Sequence, residues 1–399
     1  MVPFAKRMEY MAGSAEVIEK LFKAMGDPDT ISFGGGAPAR ETLPAKQLGE
    51  ICAELFAQPD FGARMLQYGA PEGEKELREV VAEYLLHPKG VNASADEIMI
   101  VNGGLETMNL MCQVFIDPGD VILVEAPTFV HCVEIFEMFQ ARCIAVETDD
   151  NGMVPEDVER KIQQYKPKFV YVIPTFQNPS GRTLTLERRK ALAELGTKYD
   201  VIILEDDPYR DIRFEGEELP PIKCFDTSGN TVLANSFSKI FSAGARLGYV
   251  HAAPEILKKM YNAKTATNSQ TNTTLQLICA EFFRRGYFEE HLRKTCELYR
   301  SRRDVMLECI DAFFPEGTKR TKPDGGLFTW VELPGDIDTT ALLEKARENK
   351  LAFIAGESFF TEGGGKGKNC MRMSFGNVPE DKIRIGIERL GKLIKEEYK

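Results

Sequence analysis

Between residues 98 and 234, short and continuously apolar runs alternate with longer stretches of helical spacing, and no other feature of the chain restricts its fold so tightly. The runs fall at 98–101, 121–124, 169–173, 201–204 and 232–234, and helical patterns occupy 104–116, 128–140, 155–165 and 185–199. A run that is apolar at every position predicts a strand covered on both faces, because a half-exposed strand would alternate with polar residues. Repetition of strand, helix and strand predicts crossovers between parallel strands, and hence an α/β layered domain. In such a sheet ligands gather where the carboxyl ends of the strands meet their loops. The residues that follow each run are therefore the first candidates for chemistry.

Outside this block the pattern changes. Apolar residues at helical spacing (Phe4, Met8, Met11, Val17, Leu21 and Met25) predict an N-terminal helix over 4–25. Gly34, Gly35 and Gly36 then break it, and three successive glycines predict a backbone that turns sharply or lies close against a neighbour. The stretch 67–73, with Tyr68 near its start, reads as a turn into a helix carrying Leu77, Val80, Val81, Tyr84 and Leu85 on one face. From about residue 254, long helices are predicted at 254–265, 272–286 and 288–313, followed by β-rich segments at 327–333 and 371–375 and a terminal helix near 379–397. This predicts a large domain of residues 45–290 and a smaller α+β domain made of 1–44 and 291–399. The glycine- and lysine-rich stretch 362–368 misses the phosphate-loop pattern, since Glu362 stands where its first glycine belongs and Asn369 follows Lys368. It reads as a mobile loop.

Composition narrows the function. A formal net charge of −11 over 399 residues disfavours a nucleic-acid binder and offers little to an anionic membrane surface. No run approaches membrane-spanning length, and the N-terminus lacks the apolar stretch of a signal peptide. Nine cysteines without a C-x-x-C pair, and four histidines at no metal-ligand spacing, predict reduced thiols, a cytoplasmic setting and no metal site.

Each apolar run is followed by a different chemical group. After 98–101 come Gly103, Gly104 and Leu105 at a helix start, where N–H groups and the positive end of the dipole suit a phosphate; a plain tight turn has the same composition. After 121–124 comes Phe129, which can lie on a ring or pack in a core. After 169–173 the turn around Asn178 presents a polar amide, although Asn before Pro also starts ordinary turns. After 201–204 come Glu205, Asp206 and Asp207, then Tyr209. Successive carboxylates repel one another unless a cation or proton sits among them. One of them against a pyridine nitrogen would keep it protonated, while a solvated acidic turn would account for Glu205 and Asp207. After 232–234 come Ser236, Ser238, Lys239 and Arg246, which offer hydroxyls and a guanidinium to a phosphate and an amine to an aldehyde. Pyridoxal phosphate is a cofactor with all of these complements.

On these residues the chain resembles the class I/II aminotransferases of pyridoxal-phosphate fold type I, in the branch of the aminoadipate and kynurenine aminotransferases. Ser236-Phe237-Ser238-Lys239 ahead of Arg246-Leu247-Gly248 carries the likeness, as does Asn178-Pro179-Ser180-Gly181 ahead of Asp206-Asp207-Pro208-Tyr209. The resemblance implies a mostly parallel seven-stranded sheet sandwiched by helices in the large domain. It makes Lys239 the Schiff-base lysine and proton carrier and Asp206 the partner of the pyridinium nitrogen. It sets Asn178 and Tyr209 on the ring 3-oxygen, with Phe129 stacked on the ring. Ser236, Ser238, Arg246, Gly104 and Leu105 would hold the phosphate, Leu105 through its backbone alone. Arg372 would clamp the substrate α-carboxylate, and Gly36 would let a loop approach the substrate. Tyr68 would reach into the neighbouring subunit's site, which implies a homodimer with shared active sites.

The implied reaction moves an amino group between an α-amino acid and a 2-oxo acid. Its rivals are a β-lyase or decarboxylase using the same cofactor, and the effector-binding domain of a GntR-type regulator. Only about thirty residues precede the glycine loop, fewer than a winged DNA-binding domain needs. Arg40 either meets an acidic substrate side chain or is an ordinary surface arginine.

Overall fold

The computed structural model describes residues 2–9, 29–361 and 365–397. Its centre is a seven-stranded sheet. The strands are β1 (Ile98–Val101), β2 (Val121–Glu125), β3 (Arg142–Val146), β4 (Phe169–Val172), β5 (Ile202–Asp206), β6 (Thr231–Ser236) and β7 (Gly248–His251). They lie in the order β1-β7-β6-β5-β4-β2-β3. Neighbours from β6 through β3 are parallel, whereas β7 runs antiparallel to both β1 and β6. All the apolar runs read from the sequence are strands. Two strands carry no such signal. β3 is an edge strand whose first residue is exposed and whose next two are only half-buried, and β7 is Gly-Tyr-Val-His, too polar at its ends to register as a run.

Successive side chains of a strand point to opposite faces. Ile122, Val124, Tyr171 and Leu204 accordingly join one apolar cluster. Leu123, Val170, Val172 and Ile203 join another, together with Val158 and Ile162 of helix Pro155–Tyr165 and Leu192 of helix Leu186–Tyr199. Burying each such aliphatic side chain contributes roughly 1.5–3 kcal/mol, and both faces of the sheet collect it.

A second, four-stranded antiparallel sheet comprises β8 (Lys319–Arg320), β9 (Phe328–Glu332), β10 (Ile354–Ala355) and β11 (Cys370–Ser374), in the order β8-β9-β11-β10. Helix Tyr287–Phe313 packs against the terminal helix Glu380–Glu397 beside it. The short strand Ile31–Ser32 pairs in parallel with Leu351–Ala352, so the chain enters Gly34–Gly36 already anchored to this half. Of the helix expected over 4–25, only Lys6–Glu9 lies among the described residues with defined structure, a single 3-10 turn; residues 10–25 lie outside them. In the stretch 362–368, residues 366–368 form a turn, and 362–364 lie outside the described residues.

Register does the assembling. Gly248 pairs with both Val101 and Ser236, so one antiparallel strand sets the ends of β1 and β6 side by side. Asp206 pairs with Ala234, and Tyr171 with Leu204.

Candidate active site

The end of β1 runs into helix Gly104–Phe115 through Gly103, whose φ is +78°. A Cβ on Gly103 would stand 2.5 Å from Arg246 Nη2, and one on Gly248 would stand 2.9 Å from the Gly103 carbonyl carbon. Only glycine allows a strand and a guanidinium to come this close to the loop. Arg246 is itself left-handed at φ +52° and donates from Nη2 to Asn102 O at 3.4 Å. Ser236 Oγ donates to Ser238 Oγ at 2.9 Å and accepts from Ser238 N at 3.2 Å. A helix N-terminus, two hydroxyls and a guanidinium thus converge in an anion cradle. Leu105 packs its side chain on the core, so only its backbone can serve an anion.

Glu106 secures this cradle from behind. Its carboxylate accepts from Asn102 N and, at 2.8 Å, from the fully buried Lys264 Nζ. Lys264 also reaches Thr271 Oγ1 at 3.1 Å, and Thr271 Oγ1 donates to Ile100 O at 3.3 Å. Neither Glu106 nor Lys264 stands out in the sequence, because a glutamate in a first helical turn and a lysine in a polar helix are commonplace.

Lys239 follows the cradle residues of β6 and donates from Nζ to Gly36 O at 2.7 Å, with the Tyr209 ring 6.0 Å away. Burial, reinforced by the charges of Arg372 and Arg246, lowers its pKa to about 8. The neutral amine is the nucleophile, so its reaction with an aldehyde should rise with pH about a midpoint near 8, and not near the ordinary lysine value of about 10.4. Mixing cofactor-free enzyme with pyridoxal phosphate and following the growth of visible absorbance against pH measures this. A midpoint above about pH 10 would contradict the enclosure of Lys239.

The run of acids at the end of β5 is not a solvated turn: Glu205, Asp206 and Asp207 are all buried. Alternation along the strand sends them to different partners. Glu205 accepts from Ile222 N at 2.8 Å and Lys223 N at 3.0 Å, while Asp207 pairs with buried Arg210 at 3.1 Å. Asp206 lies on the other face, 6% exposed, with Oδ2 2.8 Å from Tyr171 Oη. Burial pushes its pKa up to about 7; the Tyr171 bond opposes the shift and the Asp207 charge adds to it. The mutual repulsion expected of three adjacent carboxylates is relieved by separate partners, not by water.

Arg372 comes from β11 in the second sheet. It donates from Nη1 to Asn178 Oδ1 at 2.8 Å and from Nη2 to Gly34 O. Its guanidinium carbon lies 4.2 Å from the Phe328 ring centre and 5.2 Å from that of Phe359, both within cation–π range. Burial lowers its pKa to about 10, and among the described residues its buried Nε has no hydrogen-bond partner. Asn178 in turn donates from Nδ2 to Tyr209 Oη at 3.5 Å. Phe328 meets Tyr209 edge-on at 5.7 Å and would be 2.8 Å from a Cβ on Gly36, which fixes that position as glycine. Phe129 is half-buried with the His131 ring 5.2 Å away. Tyr68 stands apart at 87% exposure, and Arg40 is exposed on the short turn Arg40–Thr42.

A cradle with no room for a Cβ at Gly103 or Gly248, an enclosed amine of lowered basicity and a buried carboxylate are the complements that a phosphate, an aldehyde and a basic ring nitrogen require. The residues present fit pyridoxal phosphate.

Residues 53–390 match the family described as Aminotransferase class I and II. The chain is 41% identical over 390 residues to Aromatic-amino-acid aminotransferase 1 of Thermococcus litoralis, which covers 96% of this chain and 93% of that protein. It is 32% identical over 386 residues to the 2-aminoadipate transaminase of Thermus thermophilus, covering 96% and 94%. The solved kynurenine aminotransferase of Pyrococcus horikoshii superposes with a TM-score of 0.92 at 39% identity, over 99% of this chain and 98% of that one. At such likeness over nearly its whole length, the chain belongs to aminotransferase class I and II and transfers amino groups with pyridoxal phosphate.

Proposed function

We propose that Lys239, Asp206, Tyr209 and Arg372 divide the work of this transamination, a reading carried by the Lys239 amine held at Gly36 O beside the Arg372 guanidinium. Bound in the cradle, pyridoxal phosphate supplies an aldehyde that takes up amines and a ring that accepts the electron pair left when Cα loses its proton. Ser236, Ser238, Arg246 and the N–H groups of Gly104 and Leu105 would hold its phosphate, Gly103 shaping the loop while its own N–H donates to Val101 O at 2.9 Å, and Phe129 would cover its ring. Lys239 takes the proton from the substrate Cα and delivers it to the cofactor's C4′. Burial and the neighbouring guanidiniums, which lower its pKa, favour the neutral amine that a base must be. Asp206 keeps the ring nitrogen protonated, since a cation facing its buried carboxylate favours the ionised form. Tyr209 and Asn178, already adjoining, serve the ring 3-oxygen. Arg372 binds the α-carboxylate through its planar fork of donors.

The same reading takes residues 45–290 as a large domain and 1–44 with 291–399 as a small one. The seven-stranded sheet lies within the first range and the four-stranded sheet within the second, and the Ile31–Ser32 pairing supports joining the N-terminal segment to the latter. Tyr68 at 87% exposure, next to Leu66 at 75%, supports a homodimer in which each Tyr68 completes the partner's site. Free cysteines support a cytoplasmic setting, and the net charge of −11 speaks against nucleic acid as a partner.

For the amino donor, aromatic amino acids have the best support. The rings of Phe328 and Phe359 flank Arg372, His131 lies near enough to feel its charge with the Phe129 ring beside it, and the Thermococcus relative is named for aromatic substrates. A donor screen with 2-oxoglutarate and pyruvate, read by keto-acid formation, tests this. Phenylalanine or tyrosine should exceed aspartate in kcat/KM by about tenfold or more, the scale on which apolar pockets discriminate. Turnover of acidic donors alone would refute the aromatic reading.

A further inference from the structure

Tyr171 is the only residue of β4 with a polar tip, and it is fully buried. Its pairing with Leu204 puts it on the same face as Asp206, two positions further along β5, within reach of a long side chain. Its Oη lies 2.8 Å from Asp206 Oδ2 and 3.1 Å from Cys132 Sγ. The Phe136 ring stands edge-on at 5.4 Å and 76°, so the phenol has little room to turn. Burial raises the pKa of both the phenol and the thiol well above their usual values, so each keeps its proton. The phenol has one proton to give, and the carboxylate is the stronger acceptor. The Cys132 thiol then points its weak donor back at Oη.

The other titratable groups facing Asp206 do not donate to it. Asp207, just past the end of β5, pairs with Arg210; Glu125 at the end of β2, its pKa raised to about 8 by burial, accepts from Ile173 N and Gln177 Nε2; and Tyr209 Oη has Asn178 Nδ2 as its hydrogen-bond neighbour. Tyr171 is thus the donor that favours the ionised form of a carboxylate otherwise pushed toward neutrality.

We propose that Tyr171, backed by Cys132, is a positioning residue for Asp206: its O–H fixes Oδ2, keeps the carboxylate ionised and leaves Oδ1 for the cofactor's ring nitrogen. This rests on the assignment of Asp206 to that nitrogen. The test uses holoenzyme loaded with pyridoxal phosphate isotope-labelled at the ring nitrogen, whose NMR shift separates the protonated from the bare form as pH is raised. In Tyr171→Phe the nitrogen should lose its proton about one to two pH units earlier than in the parent enzyme, with kcat down about ten- to a hundredfold and KM within about twofold. Cys132→Ala should move both readouts the same way by less, and carries the test if the tyrosine variant does not fold. Cys132→Ser, which keeps a donor in place, should restore parent values. Asp206→Asn separates the inference from its premise. If it strips the nitrogen proton while Tyr171→Phe titrates like the parent enzyme, the role of Tyr171 is overturned and Asp206 stands. If Asp206→Asn leaves the nitrogen protonated, the premise and the inference both go.

Discussion

Replacing Lys239 by alanine should lower kcat about ten-thousandfold or more, because one amine supplies both the covalent attachment and the base. The cations beside it that depress its pKa, Arg372 and Arg246, are guanidiniums, which cannot take the place of an imine-forming amine. Lys239→Arg should be equally inactive for that reason, which separates the need for a charge from the need for a deprotonatable amine. The cradle does not include Lys239, so the alanine variant should still retain cofactor through gel filtration. Borohydride reduction should no longer fix that cofactor to the protein. A variant that kept both turnover and the covalent link would sink the assignment.

Replacing Arg372 by leucine should reduce kcat/KM by about a hundred- to ten-thousandfold. Two charge-assisted hydrogen bonds to a carboxylate contribute roughly 1.5–3 kcal/mol each, and each 1.4 kcal/mol is about a factor of ten. Most of the loss should appear in KM, since the carboxylate is bound in ground and transition states alike. Arg372→Lys should fall between, keeping charge but losing both the planar fork and the stacking between Phe328 and Phe359. The leucine variant should also melt earlier, because Asn178 Oδ1 and Gly34 O lose their donor, at about 1–3 kcal/mol for each buried group left unpaired. An unchanged KM for amino donors would show that Arg372 does not meet the carboxylate.

Much of this candidate site is legible in the sequence because a parallel sheet advertises itself twice. Its strands are apolar throughout, and the groups that follow them are polar and unlike one another, as Asn178, Asp206 and Lys239 are. What sequence spacing does not encode is register. The antiparallel β7 was invisible as a strand, yet its Gly248 is what sets Gly103 beside Ser236. The acids at the end of β5 read as a repelling trio because their alternation between two faces, and the arrival of Arg210 and the Ile222 amide, are properties of the fold. Tyr171 looked like one more apolar strand residue; only pairing across two strands brings it to Asp206. Resemblance supplied Arg372 and Tyr68, which lie in β11 and in an exposed loop, far along the chain from the lysine.

The Lys264–Glu106 pair behind the anion cradle has a consequence for the lifetime of the cofactor complex. Asn102 is fixed at both ends, its N–H by Glu106 and its carbonyl by Arg246, and Glu106 is itself fixed by Lys264. All of these bonds are made by the chain to itself. Ordering the backbone of Asn102, Gly103 and Gly104 at the moment of docking would subtract roughly 1–2 kcal/mol per residue from the affinity. Folding has already met that entropy, so the phosphate arrives at a loop that does not have to be frozen around it, which lengthens its residence. How tightly the enzyme keeps its cofactor is therefore decided in part by a lysine and a glutamate on the far side of the loop.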